Sequence, residues 1–168
     1  MLKDVLEYFP PPVGIEIINL LKTDKEIENK IEEIRFRINR KLTLKVGQDF
    51  ITINPVITKK IIIETFENIC EKSVYSYTKQ IAEGFITLKG GNRVGLTGTC
   101  VIDNEKITNI NYISSLNFRI AKQIIDSSVP FLKYIIDIQN NTIFNTLIAS
   151  IPGARKDNNY KGFSTKDI

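Results

Sequence analysis

Histidine is absent from the 168 residues. The chain therefore has no access to the commonest general base, the commonest metal ligand, or any Ser-His or Cys-His nucleophilic arrangement, and classical hydrolase chemistry is not expected. Cysteine is scarce: Cys70 and Cys100 lie far apart, each among apolar neighbours. They read as free buried thiols, not a disulfide or metal pair, which fits a reducing cytoplasm. No apolar run approaches the roughly 20 residues that cross a bilayer, and the N-terminus has neither a basic start nor a small-residue cleavage site. A soluble, cytosolic chain is expected. Strong charge of one sign is also missing, with Lys+Arg 23 against Asp+Glu 19; this balance permits an acidic partner without requiring one.

What is present is ordinary globular material, 42% hydrophobic and 25% charged, enough for one domain with a short appendage or two very small units. Leu2, Val5, Leu6 and Phe9 follow helical spacing until Pro10-Pro11-Pro12 ends the pattern, and Val13, Ile17, Leu20 and Leu21 stripe a second helix. From Ile31 the period becomes two: Ile34, Phe36 and Ile38 alternate with Glu33, Arg35, Arg37 and Asn39. Strands over 42–46 and 50–53 complete a meander. Thr58 caps a helix carrying Ile62, Phe66, Ile69 and Cys70, and a shorter helix runs from near Tyr75 to Ala82. Gly90-Gly91-Asn92 opens a strand from Arg93 to Val101, and Leu116 to Ile120 is again strand-like, so a second antiparallel layer is expected. Helices are expected past Ala121 to about Ile125 and from Pro130 through Tyr134, Ile135 and Ile138, then a short buried strand over Thr146–Ala149. From Ala154 the apolar pattern stops and the tail reads as solvated. The fold class is α+β: N-terminal helices, a meander, and an antiparallel sheet with helices on one face.

Three groups of residues carry potential chemistry. Ser150-Ile151-Pro152-Gly153-Ala154-Arg155-Lys156-Asp157 sits where a strand would feed a phosphate-binding loop of the pattern G-x-x-x-x-G-K-[ST]. Only Lys156 is in place. Serine stands at the first glycine, arginine at the second and aspartate at the magnesium-holding hydroxyl, so a plain strand and tail explains the segment better. Arg93, after a glycine turn, and Arg119, opposite an apolar strand face, are two forked guanidiniums suited to a phosphate or carboxylate; solvent-facing arginines paired with nearby acids are the alternative. Gly95 and Gly98 admit either a ligand's close approach or a strand bulge. Arg35, Arg37, Arg40 and Lys41, with Tyr75 and Tyr77, would form a nucleic-acid surface only if they shared one face, and Glu32 and Glu33 dilute that charge. Nucleic acid is therefore not the favoured partner. Glu7, Glu64 and Glu71 show no pairing suited to carboxylate catalysis, and no catalytic residue or metal site is assigned.

Segments 32–37, 84–98, 113–121 and 145–148, in that order and separation, resemble the stage III sporulation protein AA family of endospore-forming bacteria, from near the N-terminus to about Gly153. That family is similar to type II and type IV secretion ATPases, in which an N-terminal α/β region precedes a RecA-like, AAA+-type motor using ATP and magnesium. The resemblance implies an N-terminal helical segment over 1–28, an α+β domain over 29–126, the incomplete start of the motor over 127–153 and a divergent tail over 154–168. It gives Arg93 and Arg119 a phosphate-sensing role and leaves Pro152, Gly153 and Lys156 as remnants of a nucleotide loop. Where the family continues Pro-Gly-Cys-Gly-Lys-Thr, this chain has Pro152-Gly153-Ala154-Arg155-Lys156-Asp157, as a truncated, frameshifted or degenerate product would. Neither ATP turnover nor a cofactor is expected of the chain itself. The resemblance further implies protein partners in a sporulation channel, a hexamer for the full-length form, and a cytoplasmic site at the mother-cell face of the forespore membrane. A nucleic-acid-binding module and a nonfunctional remnant are the other readings.

Overall fold

The computed structural model describes residues 2–24, 26–122, 134–137 and 142–147. The chain divides into two compact units, Met1–Ala121 and Lys122–Ile168. In the first, α1 (Leu2–Leu6), α2 (Pro11–Thr23) and α3 (Ile27–Lys30) lead into β1 (Ile31–Arg37), β2 (Lys41–Val46) and β3 (Asp49–Val56). Then come α4 (Lys59–Ile69), a 3-10 turn over Val74–Tyr77, α5 (Thr78–Ala82), β4 (Phe85–Thr87), β5 (Arg93–Asp103) and β6 (Lys106–Arg119).

The strands form one six-stranded antiparallel sheet in the order β3-β2-β1-β6-β5-β4. The meander and the later hairpin are thus not separate layers. They join because β1 pairs with β6 from Glu33↔Arg119 to Arg37↔Ser115, and both strands carry their apolar residues in phase. β3 also runs beyond the Asn54-Pro55 step to Val56. As an edge strand it has a side that makes no ladder bonds, where a missing N–H does no harm.

One face of the sheet is apolar. Ile34, Phe36, Leu42, Leu44, Val94, Leu116 and Phe118 are fully buried, in the same core as Val5, Val13, Ile17, Ile62, Ile69 and Ile81 from the covering helices. Phe9, at the end of the α1 turn, places its ring 5.0 Å from Phe36 and 4.8 Å from Phe118. Each such side chain contributes about 1.5–3 kcal/mol on leaving water. That burial holds α2, whose N-terminus has proline at the first helical positions but no side-chain cap. α4 has both devices: Thr58 accepts from the Ile61 amide at 3.3 Å, and Ile62 and Ile69 are buried.

In the second unit, β7 (Ile136–Asp137) pairs antiparallel with β8 (Thr142–Ile143), and the Phe144 amide donates to the Ile135 carbonyl at 2.8 Å. This corrects the expected helix over Ile136–Asp137, where cross-strand bonding claims the backbone groups that a helix would use. The buried strand expected from Thr146 is also not found in the described residues Thr146 and Leu147; Leu147 is 92% exposed. Lys122 is not helical, and the remainder of the helix expected past Ala121 lies outside the described residues.

Candidate functional site: the arginine face of the sheet

Opposite the helices, side-chain alternation sends the charged residues of β1, β2, β5 and β6 to a single face. Register places Lys45, Glu33, Arg119, Arg93 and Thr87 in one row across five strands. The next row is Thr43, Arg35, Asn117, Gly95 and Phe85.

Glu33 organises one half of this face. Its Oε2 accepts from Arg35 Nε at 2.8 Å and Nη2 at 2.5 Å, and its Oε1 stands 4.0 Å from Arg119 Nε. Arg35 lies over the Phe50 ring at 4.6 Å, and Lys45 is held by Glu32 at 2.8 Å. These cations are spoken for.

Arg93 and Arg119 are different. They are directly opposite each other in the β5–β6 ladder, where Cβ atoms sit about 4.5–5.5 Å apart and like charges destabilise by roughly 0.2–1 kcal/mol. Arg119 remains 73% exposed with only the long Glu33 contact. Arg93 lies over Phe85 at 5.5 Å and makes no ion pair among the described residues. An anion between the two guanidiniums would turn this repulsion into attraction. Asn117, one row away, adds a buried Oδ1 with no hydrogen-bond partner among the described residues.

The other candidates separate. Arg37 is exposed across from Ser115, while Arg40 is in the β1–β2 turn and Lys41 begins β2. Tyr75 and Tyr77 follow α4 on the helical side, and Tyr77 packs against the core, so the tyrosines do not share the arginine surface. Phe50 and Phe85 do share it; sequence reading missed them because nothing local reveals which strands become neighbours. Gly98 is explained by crowding: a Cβ there would lie 2.7 Å from the Asn111 carbonyl and 2.8 Å from Ile110 Cγ2. It faces a bulge in β6, where the register jumps from Thr97↔Ser115 to Thr99↔Asn111 and Tyr112 adopts φ 48°. Gly95 meets only an ordinary contact at 3.9 Å.

Cys70 is buried, and loss of solvation pushes its thiol up to about 11. Cys100 corrects the expectation of two buried thiols, because it is exposed on the hairpin beyond the sheet. Glu7 pairs with Lys89 at 3.4 Å, raising the lysine ammonium's pKa through that hydrogen bond. No group of three or more carboxylates and cysteines suited to a metal occurs among the described residues. Pro152, Gly153 and Lys156 lie outside the described residues.

A sequence model of the family described as "Sporulation stage III, protein AA" matches residues 13–161. The chain belongs to this family. It is 31% identical over 127 residues to "Stage III sporulation protein AA" of Bacillus subtilis (strain 168), covering 76% of this chain and 40% of the relative. The chain thus spans well under half of that relative's length. Among solved structures, the Legionella pneumophila ATPase DotB matches with a TM-score of 0.41 and 10% identity, over 74% of this chain and 33% of that one. A likeness of that extent adds nothing to the functional assignment. No helix among the described residues is long and apolar enough to cross a membrane.

Proposed function

We propose that this chain is the N-terminal regulatory and assembly region of a sporulation stage III AA motor, offering Arg93 and Arg119 to the phosphates of a nucleotide held elsewhere in the assembly. The observation that carries the reading is the cross-strand pairing of these arginines, a juxtaposition that costs the fold stability unless an anion visits it. Family membership supplies the setting. In this proposal the full-length assembly is a hexameric, ATP- and magnesium-dependent motor of a forespore channel. The chain would act at the mother-cell face of the forespore membrane, peripheral to the channel.

The chain itself would not turn over ATP. Ser150, Arg155 and Asp157 replace the two glycines and the hydroxyl that cradle phosphate and magnesium. A nucleic-acid role gains no support from Tyr75 and Tyr77, which lie away from the arginine face.

Calorimetric titration with inorganic tripolyphosphate tests the arginine pair. Binding should weaken with salt, and Arg93→Ala or Arg119→Ala should each reduce affinity about ten-fold through loss of a charge-assisted contact. Affinity unchanged in the double variant would remove the proposal's basis. Magnesium-dependent phosphate release that vanishes in Lys156→Ala would overturn the assignment of inactivity.

A further inference from the structure

Beyond Gly98 the β5–β6 hairpin leaves the sheet. Thr99–Asp103 pairs with 106–111, closing at Asn104 (φ 47°) and Glu105 (φ 61°). β1 accompanies β6 only as far as Ser115, and β4 accompanies β5 only over Arg93–Gly95. Among the described residues no strand pairs with the outer edges of this arm. Natural edge strands are usually blunted by lysine, proline or inward charge. Here residues 94–102 and 107–118 contain no charged residue and no proline.

The arm also carries the sheet's apolar face past its helical cover. Ile110 is buried, whereas Ile107 is 46% exposed and Ile102 66%. Beside it lies an open groove of about 390 Å³ whose walls include Ile62, Ile63 and Phe66 from α4, Ile81 from α5, and Ile110 and Ile113 from β6. Tyr112, 78% exposed, stands at its mouth with Lys59 Nζ 5.9 Å from the ring centroid. Lys59 and Lys60 occupy the first turn of α4, which contains no acidic residue. Neither lysine makes an ion pair among the described residues.

We infer that this arm and groove are the docking surface for an extended segment of another protein, one that presents apolar side chains beside an acidic residue. The segment adds as a strand to the free edge of β6 and sends alternate side chains into the groove. Its carboxylate meets Lys59, which lines the groove beside Tyr112 and makes no ion pair among the described residues, while Glu64 and Glu67 lie one to two turns further along α4 on the side of Lys60. The positive charge at this rim selects the acidic partner. The site is on the opposite face of the sheet from Arg93 and Arg119, so it does not depend on phosphate recognition.

The test is selection of displayed peptides against the immobilised 168-residue chain, followed by fluorescence anisotropy with the enriched peptide. Enriched sequences should combine branched apolar residues with aspartate or glutamate. Ile107→Asp and Lys59→Glu should each weaken binding about ten-fold or more, whereas Ile15→Asp on α2 should leave it unchanged. Bound peptide should slow amide exchange over 107–111. Each variant's thermal midpoint is measured first, and Ile102→Asp replaces Ile107→Asp if the latter is unfolded. The inference is overturned if no peptide is enriched over bare support, or if binding ignores both substitutions. It is equally overturned if sedimentation shows that Ile107→Asp abolishes self-association while peptide binding is unaffected, because the occupant would then be a second copy.

Discussion

The β5–β6 hairpin has two halves built from the same two strands. Within the sheet, Val94, Leu116 and Phe118 are fully buried while Arg93 and Arg119 project from the reverse face. Past Gly98, the arm keeps the alternation but outruns the helical cover beyond Ile110, and its charges are confined to the tip at Asp103, Glu105 and Lys106: Ile102 and Ile107, next to that tip, are exposed. Alternation alone therefore does not distinguish core from contact surface. What separates the two halves is whether a helix lies over them.

The largest expected effect contrasts the halves directly. Phe118→Ala removes a ring packed 4.8 Å from Phe9 and 5.4 Å from Phe36 and should cost about 3–5 kcal/mol by urea unfolding. Ile102→Ala in the arm should cost about 0.5 kcal/mol or less. Comparable losses would mean that the arm is covered in solution. Next comes the boundary itself: Gly98→Val forces a side chain against the Asn111 backbone and should cost about 1–3 kcal/mol, with amide exchange accelerating selectively over 99–111.

A smaller effect probes the charged half. Glu33→Gln weakens the tie to Arg35 and brings no charge to oppose Arg119, so stability should fall by about 1–2 kcal/mol. Arg93→Thr should instead raise it by roughly 0.5 kcal/mol, because a like-charge cross-strand pair disappears. That gain should shrink in 1 M salt, where screening acts over about 3 Å. A destabilised Arg93→Thr variant would show that the arginine is engaged within the fold.

The smallest effect compares the two thiols. At pH 8, Cys100 on the arm should react with a disulfide reagent at once, and Cys70 only after urea is added. Because burial raises Cys70's pKa to about 11 in the folded state, its contribution to stability is complete below the ordinary thiol range and is lost as pH rises through about 11. Cys70→Val should flatten that part of the pH dependence.

Much of this architecture was legible in the residues. Prolines 10–12 separate two helices, Thr58 caps a third, and the period-two pattern around Ile34 and Phe36 marks a strand with its apolar face. At Gly98 the residues alone admit a ligand's close approach or a bulge, and the register jump with the Asn111 contact decides for the bulge. The segment after Pro130 was misread at Ile136–Asp137 because short apolar runs fit helix and strand equally well, and pairing with Thr142–Ile143 settled it. At the candidate site, Arg93 and Arg119 could be named individually and alternation put Glu33 on a charged strand face, whereas Phe50, Phe85 and Asn117 had no local signal, and nothing local joined Glu33 to Arg119.

Composition and periodicity by themselves determined the α+β class, the faces of the strands, and the lack of histidine-based chemistry. They act through neighbours along the chain, and the order of residues records those directly. Only the tertiary structure decided that β1 lies beside β6 and that Arg93 stands opposite Arg119. It also decided that helical cover ends near Ile110, short of the arm's tip. These are long-range pairings, selected by how whole apolar faces fit together, and no single segment contains the information that chooses them.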